Sequence, residues 1–334
     1  MVLPIVRNRS QETVAQQLGF RLDIQGLRAL AVVAVVAFHV GLPVAGFIGV
    51  DVFFVISGFV ITNVLLREVE HHGRIRVWRF WSRRFIRLMP ALSLLVVVVV
   101  VISALILLPP QQQIANATGI AAMFFVANVF IARNTGGYFD PPADSNPLLN
   151  TWSLSVEEQF YFLFPVLILL AVLAKAFWNR HGRIVAVVVV VTGLSFALMV
   201  LRHSGALSVT WLNFYDPIQR AWEFGVGSLL ALVPLRYLAG KRWLGVFLSL
   251  LGVGLLIAAL VILKDPESYP GPLALLPVTA TVCLIAAGST GSNVWGAALS
   301  SRPLVMIGDA SYSIYLWHWP AVSFAVLLGA ESSW

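Results

Sequence analysis

The chain has 334 residues, of which 59% are hydrophobic and 11% are charged, and its formal net charge is +7 at pH 7. A soluble globular domain carries about 25% charged residues, so this composition excludes an ordinary soluble fold and is typical of membrane proteins. The positive charge does not indicate a nucleic-acid partner, because the arginines cluster at the ends of apolar segments, as the positive-inside rule expects. We therefore expect the lipid bilayer as a partner and no nucleic acid.

The apolar segments are long enough to span a bilayer, since about 20 apolar helical residues cross a hydrocarbon core of about 30 Å. Candidate spans lie at 27–45, 49–66, 90–108, 114–132, 152–174, 184–201, 217–235, 243–263, 270–288 and 304–329. These segments predict an all-α, polytopic membrane protein of about ten transmembrane helices. The chain then divides into a polar cytoplasmic lead over 1–26, one transmembrane domain over 27–329 and a short C-terminal end over 330–334.

Residues 74–88 form an amphipathic pattern that differs from the apolar spans around it. On a helical wheel one side carries Arg76, Arg79, Arg83 and Arg87, and the opposite side carries Trp78, Trp81, Phe85 and Leu88. This distribution predicts one interfacial helix, with its aromatic side chains in the headgroup region of the bilayer. Because arginine-rich connections favour the cytoplasmic side, the pattern also predicts a cytoplasmic N-terminus.

Two topologies remain open at this point. If all the spans cross, the basic loops at 175–183 and 236–242 lie outside, against the positive-inside rule. If the segment 114–132 is re-entrant, those loops move inside and the C-terminus moves outside. The charge rule favours the second topology, and the length of the segment favours the first.

His39 and Arg28 are the ionisable residues of the first apolar span. Eleven residues at about 100° each end about 20° past three full turns, so both side chains lie on one helix face, roughly 16 Å apart along the axis. An ionisable group inside a bilayer is costly and by default indicates function. An imidazole titrates near neutrality and suits general-base catalysis, whereas the alternative is a structural hydrogen bond.

Carboxylates in the membrane segments are the second group of candidates. They are Asp51, Glu157, Glu158, Glu223 and Asp309. A carboxylate beside His39 would orient the imidazole and stabilise its charged form, and Glu157 and Asp51 are candidates for the catalytic set. Glu157 and Tyr161 are four residues apart and share a helix face. The alternative for each carboxylate is an ion pair with Arg28 or Arg220, or an interfacial helix start.

Arg84 and Arg87 lie three residues apart on the predicted interfacial helix. Guanidinium groups match phosphate oxygens in bidentate geometry, so the pair indicates a phosphate-bearing substrate, although attraction to anionic lipid headgroups is the alternative. The sequence contains no Walker loop, no histidine and cysteine spacing typical of metal sites, and no G-x-S-x-G motif. No metal is therefore expected.

Five motifs follow one another along the chain. They are Arg28-x10-His39, Gly49-Val-Asp-Val-Phe-Phe-Val-Ile-Ser-Gly-Phe59, Arg83-Arg-Phe-Ile-Arg-Leu-Met-Pro90, Trp152-Ser-Leu-Ser-Val-Glu-Glu-Gln-Phe-Tyr161 and Ser311-Tyr-Ser-Ile-Tyr-Leu-Trp-His318. Together they resemble membrane acyltransferase family 3, the bacterial O-acetyltransferases of surface polysaccharide, lipopolysaccharide and peptidoglycan. The resemblance covers about residues 20–329.

The resemblance implies transfer of an acyl group from cytoplasmic acyl-CoA, commonly acetyl-CoA, to a hydroxyl of an extracytoplasmic glycan or glycolipid at the inner (plasma) membrane. It matches Arg28 and His39 to the family's catalytic Arg-x10-His motif, with His39 as the base, and assigns Arg84 and Arg87 to the CoA phosphates. It also matches Glu157 to the family's glutamate, as the partner of the histidine. Substrate-contacting or structural roles fall to Trp152, Tyr161, Ser311, Tyr312 and His318.

The segment Tyr315-Leu-Trp-His-Trp-Pro320 is similar to family members that carry a fused extracytoplasmic SGNH esterase-like domain. Such a domain is therefore an expected partner, and the chain is either the membrane half of a longer protein or a stand-alone member. The alternative function is a non-enzymatic transporter or flippase of glycolipid or polysaccharide. That alternative explains the apolar segments but not a cytoplasmic arginine pair beside a membrane histidine.

Overall fold

The computed structural model describes residues 21–134, 143–174, 179–207, 214–263, 269–291 and 294–329. The regular structure of these residues is entirely helical, which confirms the predicted all-α class. Most of the predicted lead over 1–26, and all of the C-terminal end over 330–334, lie outside the described residues.

The described residues form twelve α-helices and four short 3₁₀ helices. The α-helices are α1 (Leu22–His39), α2 (Gly49–His72), α3 (Val77–Ile106), α4 (Pro109–Met123), α5 (Ala127–Arg133), α6 (Thr151–Leu173), α7 (Arg180–His203), α8 (Pro217–Leu232), α9 (Arg242–Ile262), α10 (Leu275–Gly288), α11 (Val294–Leu299) and α12 (Arg302–Leu327). The 3₁₀ helices are Gly46–Ile48, Ala143–Ser145, Leu235–Leu238 and Pro272–Ala274.

Six helical segments among the described residues are long and apolar enough to cross a membrane. They are Leu22–His39, Gly46–His72, Val77–Ile106, Thr151–Leu173, Arg180–His203 and Arg242–Ile262. Helices α8 and α10 are shorter, with 16 and 14 residues, and the 26 residues of α12 include Asp309 and His318. The protein is therefore a multi-pass membrane protein, but length and composition alone do not confirm the predicted number of about ten spans.

Helix α2 is the central helix of the molecule. In its most apolar window 78% of the residues are buried, whereas the corresponding windows of α3, α7 and α9 bury only 22%, 28% and 22%. Those three outer helices expose large apolar side chains such as Leu94, Val190 and Leu250. A helix that is apolar all round and exposed on one side fits a lipid environment, so α3, α7 and α9 form part of the lipid-facing surface.

Helices α2 and α8 pack with their backbones in close contact. A Cβ atom at Gly58 would overlap the carbonyl oxygen of Phe224, and one at Gly227 would overlap the carbonyl oxygen of Val55. The hydroxyl of Ser228 donates to the carbonyl of Gly58 at 3.2 Å. Small residues of this kind allow membrane helices to approach closely, and here they fix α8 against the centre of the fold.

Helices α1 and α12 pack side by side and run in the same direction. Near their starts Gly308 lies against the backbone of Gln25, and towards their ends the rings of His318 and His39 have centroids 5.1 Å apart. Helix α12 therefore ends on the face of the molecule opposite to the start of α1.

The predicted interfacial helix is not a separate element, which corrects that prediction. It forms the first part of α3, which continues through Pro90 without interruption to Ile106. A proline inside a helix removes one backbone hydrogen bond but does not have to end the helix. The change from basic to apolar residues near Leu88 is therefore a change of environment along a continuous helix. We call the end of the molecule that carries the start of α3, with Arg79, Arg83, Arg84 and Arg87, the arginine face.

The predicted span 114–132 consists of two helices, α4 and α5, that do not cross the molecule. Helices α3 and α6 run in opposite directions, because Trp81 donates to Tyr161 whereas Arg84 contacts Glu158. The connection from the end of α3 to the start of α6 therefore begins and ends on the same face. Helices α4 and α5 form a re-entrant pair within that connection.

The turn between α4 and α5 is held by side chains of α6. Phe125 has a φ of 56°, and its carbonyl accepts a hydrogen bond from Gln159 Nε2 at 2.8 Å. The N–H of Ala127 donates to Ser155 Oγ at 3.1 Å. Backbone groups that make no hydrogen bond within a helix are tolerated at membrane depth when surrounding protein groups form hydrogen bonds with them.

The re-entrant pair decides between the two topologies. Helix α8 runs parallel to α2, since Asp51 contacts Arg220 and Gly58 lies against Phe224. The turns that follow α6 and α8 then lie at the arginine face, and α12 ends on the opposite face. This arrangement matches the second topology, in which the basic loops share one side of the membrane.

Candidate active site

A cavity of about 520 Å³ lies among helices α1, α2, α3, α6 and α12. Its polar lining includes Arg28, Arg87, Ser57, Glu157, Ser153 and Tyr315. The cavity extends from Arg67 and Leu235 near the arginine face to Val50 in the first turn of α2. It therefore reaches through much of the thickness of the molecule. Ligand sites are typically concave and largely apolar, with a few converging polar groups, and this cavity has those properties.

Arg84 is bound tightly by two glutamates of α6. Its Nε donates to both carboxylate oxygens of Glu158, at 2.7 and 2.9 Å, and its guanidinium lies 3.4 Å from Glu157 Oε1. The guanidinium also lies over the ring of Tyr161, with a distance of 3.4 Å to the centroid. Glu157 in turn accepts a hydrogen bond of 2.6 Å from the hydroxyl of Ser57. The charge of Arg84 is thus largely neutralised inside the protein.

Arg87 and Arg28 are the lining cations with fewer protein partners. Among the described residues Arg87 makes no hydrogen bond or ion pair, and the side chain of Arg28 donates to Gln25 Oε1 at 3.3 Å. Both interact electrostatically across the cavity, where Glu157 partly offsets the charge of Arg28. Arg84 thus contacts the two glutamates of α6, whereas Arg87 lines the cavity without such a partner in the part of the chain that the structure describes, and the role of the two arginines in phosphate binding stays a prediction.

His39 lies at the end of α1 and pairs with another histidine. Its Nδ1 is 2.9 Å from the carbonyl oxygen of Val35 and 3.2 Å from Nε2 of His318. The indole of Trp319 packs edge-on against the imidazole, with ring centroids 4.8 Å apart. Glu157 for its part accepts a hydrogen bond from Ser57, and the partnership of His39 with Glu157 stays a prediction. His39 itself is not among the described residues that line the cavity.

Tyr315 connects the cavity to the histidine pair. It lines the cavity, its hydroxyl lies 2.5 Å from Ser153 Oγ, and its ring centroid is 5.3 Å from that of His318. The carbonyl of Tyr315 lies 2.7 Å from His318 Nδ1. The sequence assigned no role to Tyr315 or Ser153. The available signal was the spacing of Tyr315 and His318, which are three residues apart and therefore neighbours on one helix face.

Asp51 lies in a separate buried cluster and not in the cavity lining. Its Oδ1 accepts hydrogen bonds from Arg220 at 3.0 Å and from the hydroxyl of Tyr269 at 2.6 Å. Arg220 also donates to Glu223 at 2.9 Å, and none of these three charged side chains is more than 1% exposed. The geometry favours the ion-pair alternative for Asp51 over the predicted catalytic role, because the cluster is closed to a ligand.

The remaining predicted residues divide between the cavity and the surrounding packing. Tyr161, Ser311 and Tyr312 line the cavity, and the hydroxyl of Tyr312 donates to the carbonyl of Leu88 at 3.1 Å. Trp152 is buried against the rings of Phe214 and Tyr215. No group of three or more histidine, cysteine, aspartate or glutamate side chains in the described part of the chain could hold a metal ion.

Residues 21–330 match the model of a protein family described as an acyltransferase domain. The chain belongs to this acyltransferase family. The match confirms the resemblance to membrane acyltransferase family 3 that the five motifs predicted. The geometry above therefore describes the interior of an acyltransferase domain.

Several curated bacterial proteins are similar in sequence to this acyltransferase chain. It is 34% identical over 312 residues to peptidoglycan O-acetyltransferase OatA of Listeria monocytogenes, and the aligned region covers 90% of this chain and 49% of that protein. It is 31% identical over 317 residues to the putative peptidoglycan O-acetyltransferase YrhL of Bacillus subtilis, covering 90% and 48%. Identity to O-acetyltransferase OatA of Staphylococcus aureus is 33% over 314 residues, covering 90% and 50%. The chain thus spans about half the length of these curated relatives, and no solved structure matches it.

Proposed function

We propose that the protein transfers an acyl group, acetyl in the first instance, from acyl-CoA to a hydroxyl of peptidoglycan or of another glycan of the cell envelope. One observation carries the proposal: the cavity that contains Arg28 and Arg87 continues to Ser153 and Tyr315, and the ring of Tyr315 lies against His318 of the histidine pair. The names of the relatives support the chemistry and the class of acceptor.

The donor enters from the arginine face in this proposal, which places that face and the start of α1 in the cytoplasm of a plasma-membrane protein. The concentration of basic residues on that face supports the orientation. Arg28 and Arg87 bind the phosphates of CoA, since guanidinium groups form strong charge-assisted hydrogen bonds to phosphate oxygens. Arg84 holds Glu157 and Glu158 in place and offsets their negative charge beside the donor.

The chemical step requires a base and positioning of the two substrates. His39 accepts the proton of the acceptor hydroxyl, the hydroxyl oxygen forms a bond to the thioester carbon, and the carbon–sulfur bond breaks. The leaving CoA thiolate takes up a proton, so the products are the O-acyl glycan and free CoA. Holding the thioester and the acceptor hydroxyl next to each other converts a bimolecular reaction into an effectively intramolecular one.

Donor binding tests the first half of the proposal. The Arg87→Ala variant should lose CoA affinity by about tenfold to a hundredfold, because hydrogen bonds to charged groups contribute about 1.5–3 kcal/mol. The matched control is Arg83→Ala, since Arg83 is an exposed arginine of the same helix that does not line the cavity. The assay is a thermal shift of the purified protein with CoA and acetyl-CoA. Equal binding by both variants contradicts the site, and no binding by the unmodified protein favours a transporter.

A turnover assay tests the chemical step of the proposal. Protein in proteoliposomes, supplied with radiolabelled acetyl-CoA and a muropeptide acceptor, should release CoA and label the acceptor. His39→Ala should keep donor binding and lose turnover, whereas His181→Ala, at an exposed position at the start of α7, should retain turnover. Unchanged acetylation by His39→Ala excludes His39 as the base.

A further inference from the structure

The contact between His39 and His318 has no role in the reaction as proposed so far. His318 Nε2 lies 3.2 Å from His39 Nδ1, and His318 is 8% exposed. The two histidines come from the first and the last helix of the described domain, which pack in parallel. An imidazole bound through one ring nitrogen presents the other nitrogen in a defined direction, so this contact bears directly on the geometry of a base.

Backbone carbonyls fix the tautomer of both rings, because a carbonyl oxygen can only accept a hydrogen bond. His318 Nδ1 lies 2.7 Å from the carbonyl oxygen of Tyr315, so the proton of neutral His318 is on Nδ1 and its lone pair is on Nε2. His39 Nδ1 lies 2.9 Å from the carbonyl oxygen of Val35, so His39 also carries its proton on Nδ1. That proton lies between two acceptors, the Val35 carbonyl and His318 Nε2, and the lone pair of neutral His39 is on Nε2.

We propose that His318 is a positioning residue for acyl transfer: its Nε2 lone pair, together with the Val35 carbonyl, holds the Nδ1–H of His39 and makes His39 Nε2 the atom that receives the proton. This inference rests on the function proposed above. The acceptor hydroxyl gives its proton to His39 Nε2 while its oxygen bonds to the thioester carbon and the thiolate departs. The imidazolium formed in this step keeps both acceptors on its Nδ1–H.

His318 thereby takes the place that a carboxylate has in a Ser-His-Asp triad, where the third group selects the tautomer and orients the base. A neutral imidazole performs the orientation without a charge. A buried carboxylate at the same position would require a counter-charge of its own. Two of the partners of His39, Val35 O and His318 Nε2, are neutral groups.

The same residue joins the base to the donor cavity. His318 holds the carbonyl of Tyr315, and the hydroxyl of Tyr315 meets Ser153 at the inner end of the cavity. One turn of α12 therefore carries the cavity wall on Tyr315 and the orienting group on His318. A substitution at His318 should affect the chemical step, while Arg28 and Arg87 still bind the donor.

Two substitutions of His318 separate positioning from packing. His318→Gln replaces the ring by an amide whose oxygen can accept from His39 Nδ1–H, and His318→Phe keeps an aromatic ring of similar shape without any acceptor. Positioning predicts that kcat falls by on the order of 10²-fold in His318→Phe. It also predicts that kcat stays within about tenfold of the unmodified value in His318→Gln, since one neutral hydrogen bond is weakened. CoA affinity, measured by thermal shift, should be unchanged in both.

The inference is overturned if His318→Phe has a kcat equal to or higher than that of His318→Gln, because the contact then serves packing alone. Absence of turnover in the unmodified protein is a separate outcome that rejects the proposed function itself. A measurement without activity keeps the inference testable if His318→Phe does not fold. Nitrogen-15 spectra of histidine-labelled protein, assigned with His39→Gln, should show His39 as the Nδ1–H tautomer, and an Nε2–H signal contradicts the proposal.

Discussion

Replacing Arg220 with methionine should destabilise the protein strongly, and neutralising its two carboxylate partners in the same chain should restore the stability. Arg220 is 1% exposed and lies 3.0 Å from Asp51 and 2.9 Å from Glu223, both of which are fully buried. Arg220→Met leaves these carboxylates without a cation, and removing one partner of a buried ion pair costs about 3–5 kcal/mol. The triple variant Asp51→Asn, Arg220→Met, Glu223→Gln contains no charge in the cluster, so its free energy of unfolding should return to that of the unmodified protein.

Reversible unfolding in mixed micelles of a mild detergent and sodium dodecyl sulfate gives these free energies. CoA binding at zero denaturant serves as the control for a native cavity, because the cluster does not line it. The reasoning is refuted if Arg220→Met changes the free energy of unfolding by less than about 1 kcal/mol, the range of an exposed pair. It is also refuted if the triple variant is no more stable than the single one. Loss of acyl transfer in a stable triple variant would return Asp51 to the catalytic set.

Two further predictions concern the helix packing and the topology. Gly58→Ala places a Cβ atom on the carbonyl oxygen of Phe224, so α2 and α8 must separate and the melting temperature in detergent should fall, with a cost of about 1–3 kcal/mol for overpacking. A melting temperature equal to that of the unmodified protein contradicts the close contact. In a background lacking the one thiol of the chain, Cys283→Ala, the variants Arg74→Cys and Leu328→Cys should react with an impermeant maleimide from opposite sides of the membrane. Labelling from the same side contradicts the re-entrant pair.

The positions of the helices were largely predictable from the sequence, because the apolar runs report directly on burial in lipid and protein. The break between α4 and α5 at Phe125 was not predictable, because the segment 114–132 has the length of a membrane span. The turn there depends on Gln159 and Ser155, which are distant in sequence. The continuity of α3 was also hidden, because a change of polarity along a helix resembles an end of the helix.

The candidate site was predictable at the level of its residue types and not of its pairs. The sequence offered Arg28 or Arg220 as the partner of Asp51, and only the packing of α2 against α8 selects Arg220. Arg84 and Arg87 belong to the same motif, and the sequence does not distinguish their roles. In the structure the side chain of Arg84 points towards α6 and contacts two glutamates, whereas the side chain of Arg87 lines the cavity. Long-range contacts of this kind cannot be derived from helical periodicity, which reports only on neighbours within one helix.

Consecutive residues of α2 serve two different purposes. The hydroxyl of Ser57 fixes Glu157 on the cavity side, and Gly58 meets the Phe224 backbone on the other side. A displacement of this turn of α2 therefore changes both the cavity and the packing of α2 against α8. Selection or engineering for a larger acyl chain by moving α2 would weaken the scaffold, so a change in donor size is more readily obtained on α12, whose Ser311 and Tyr312 border the same space.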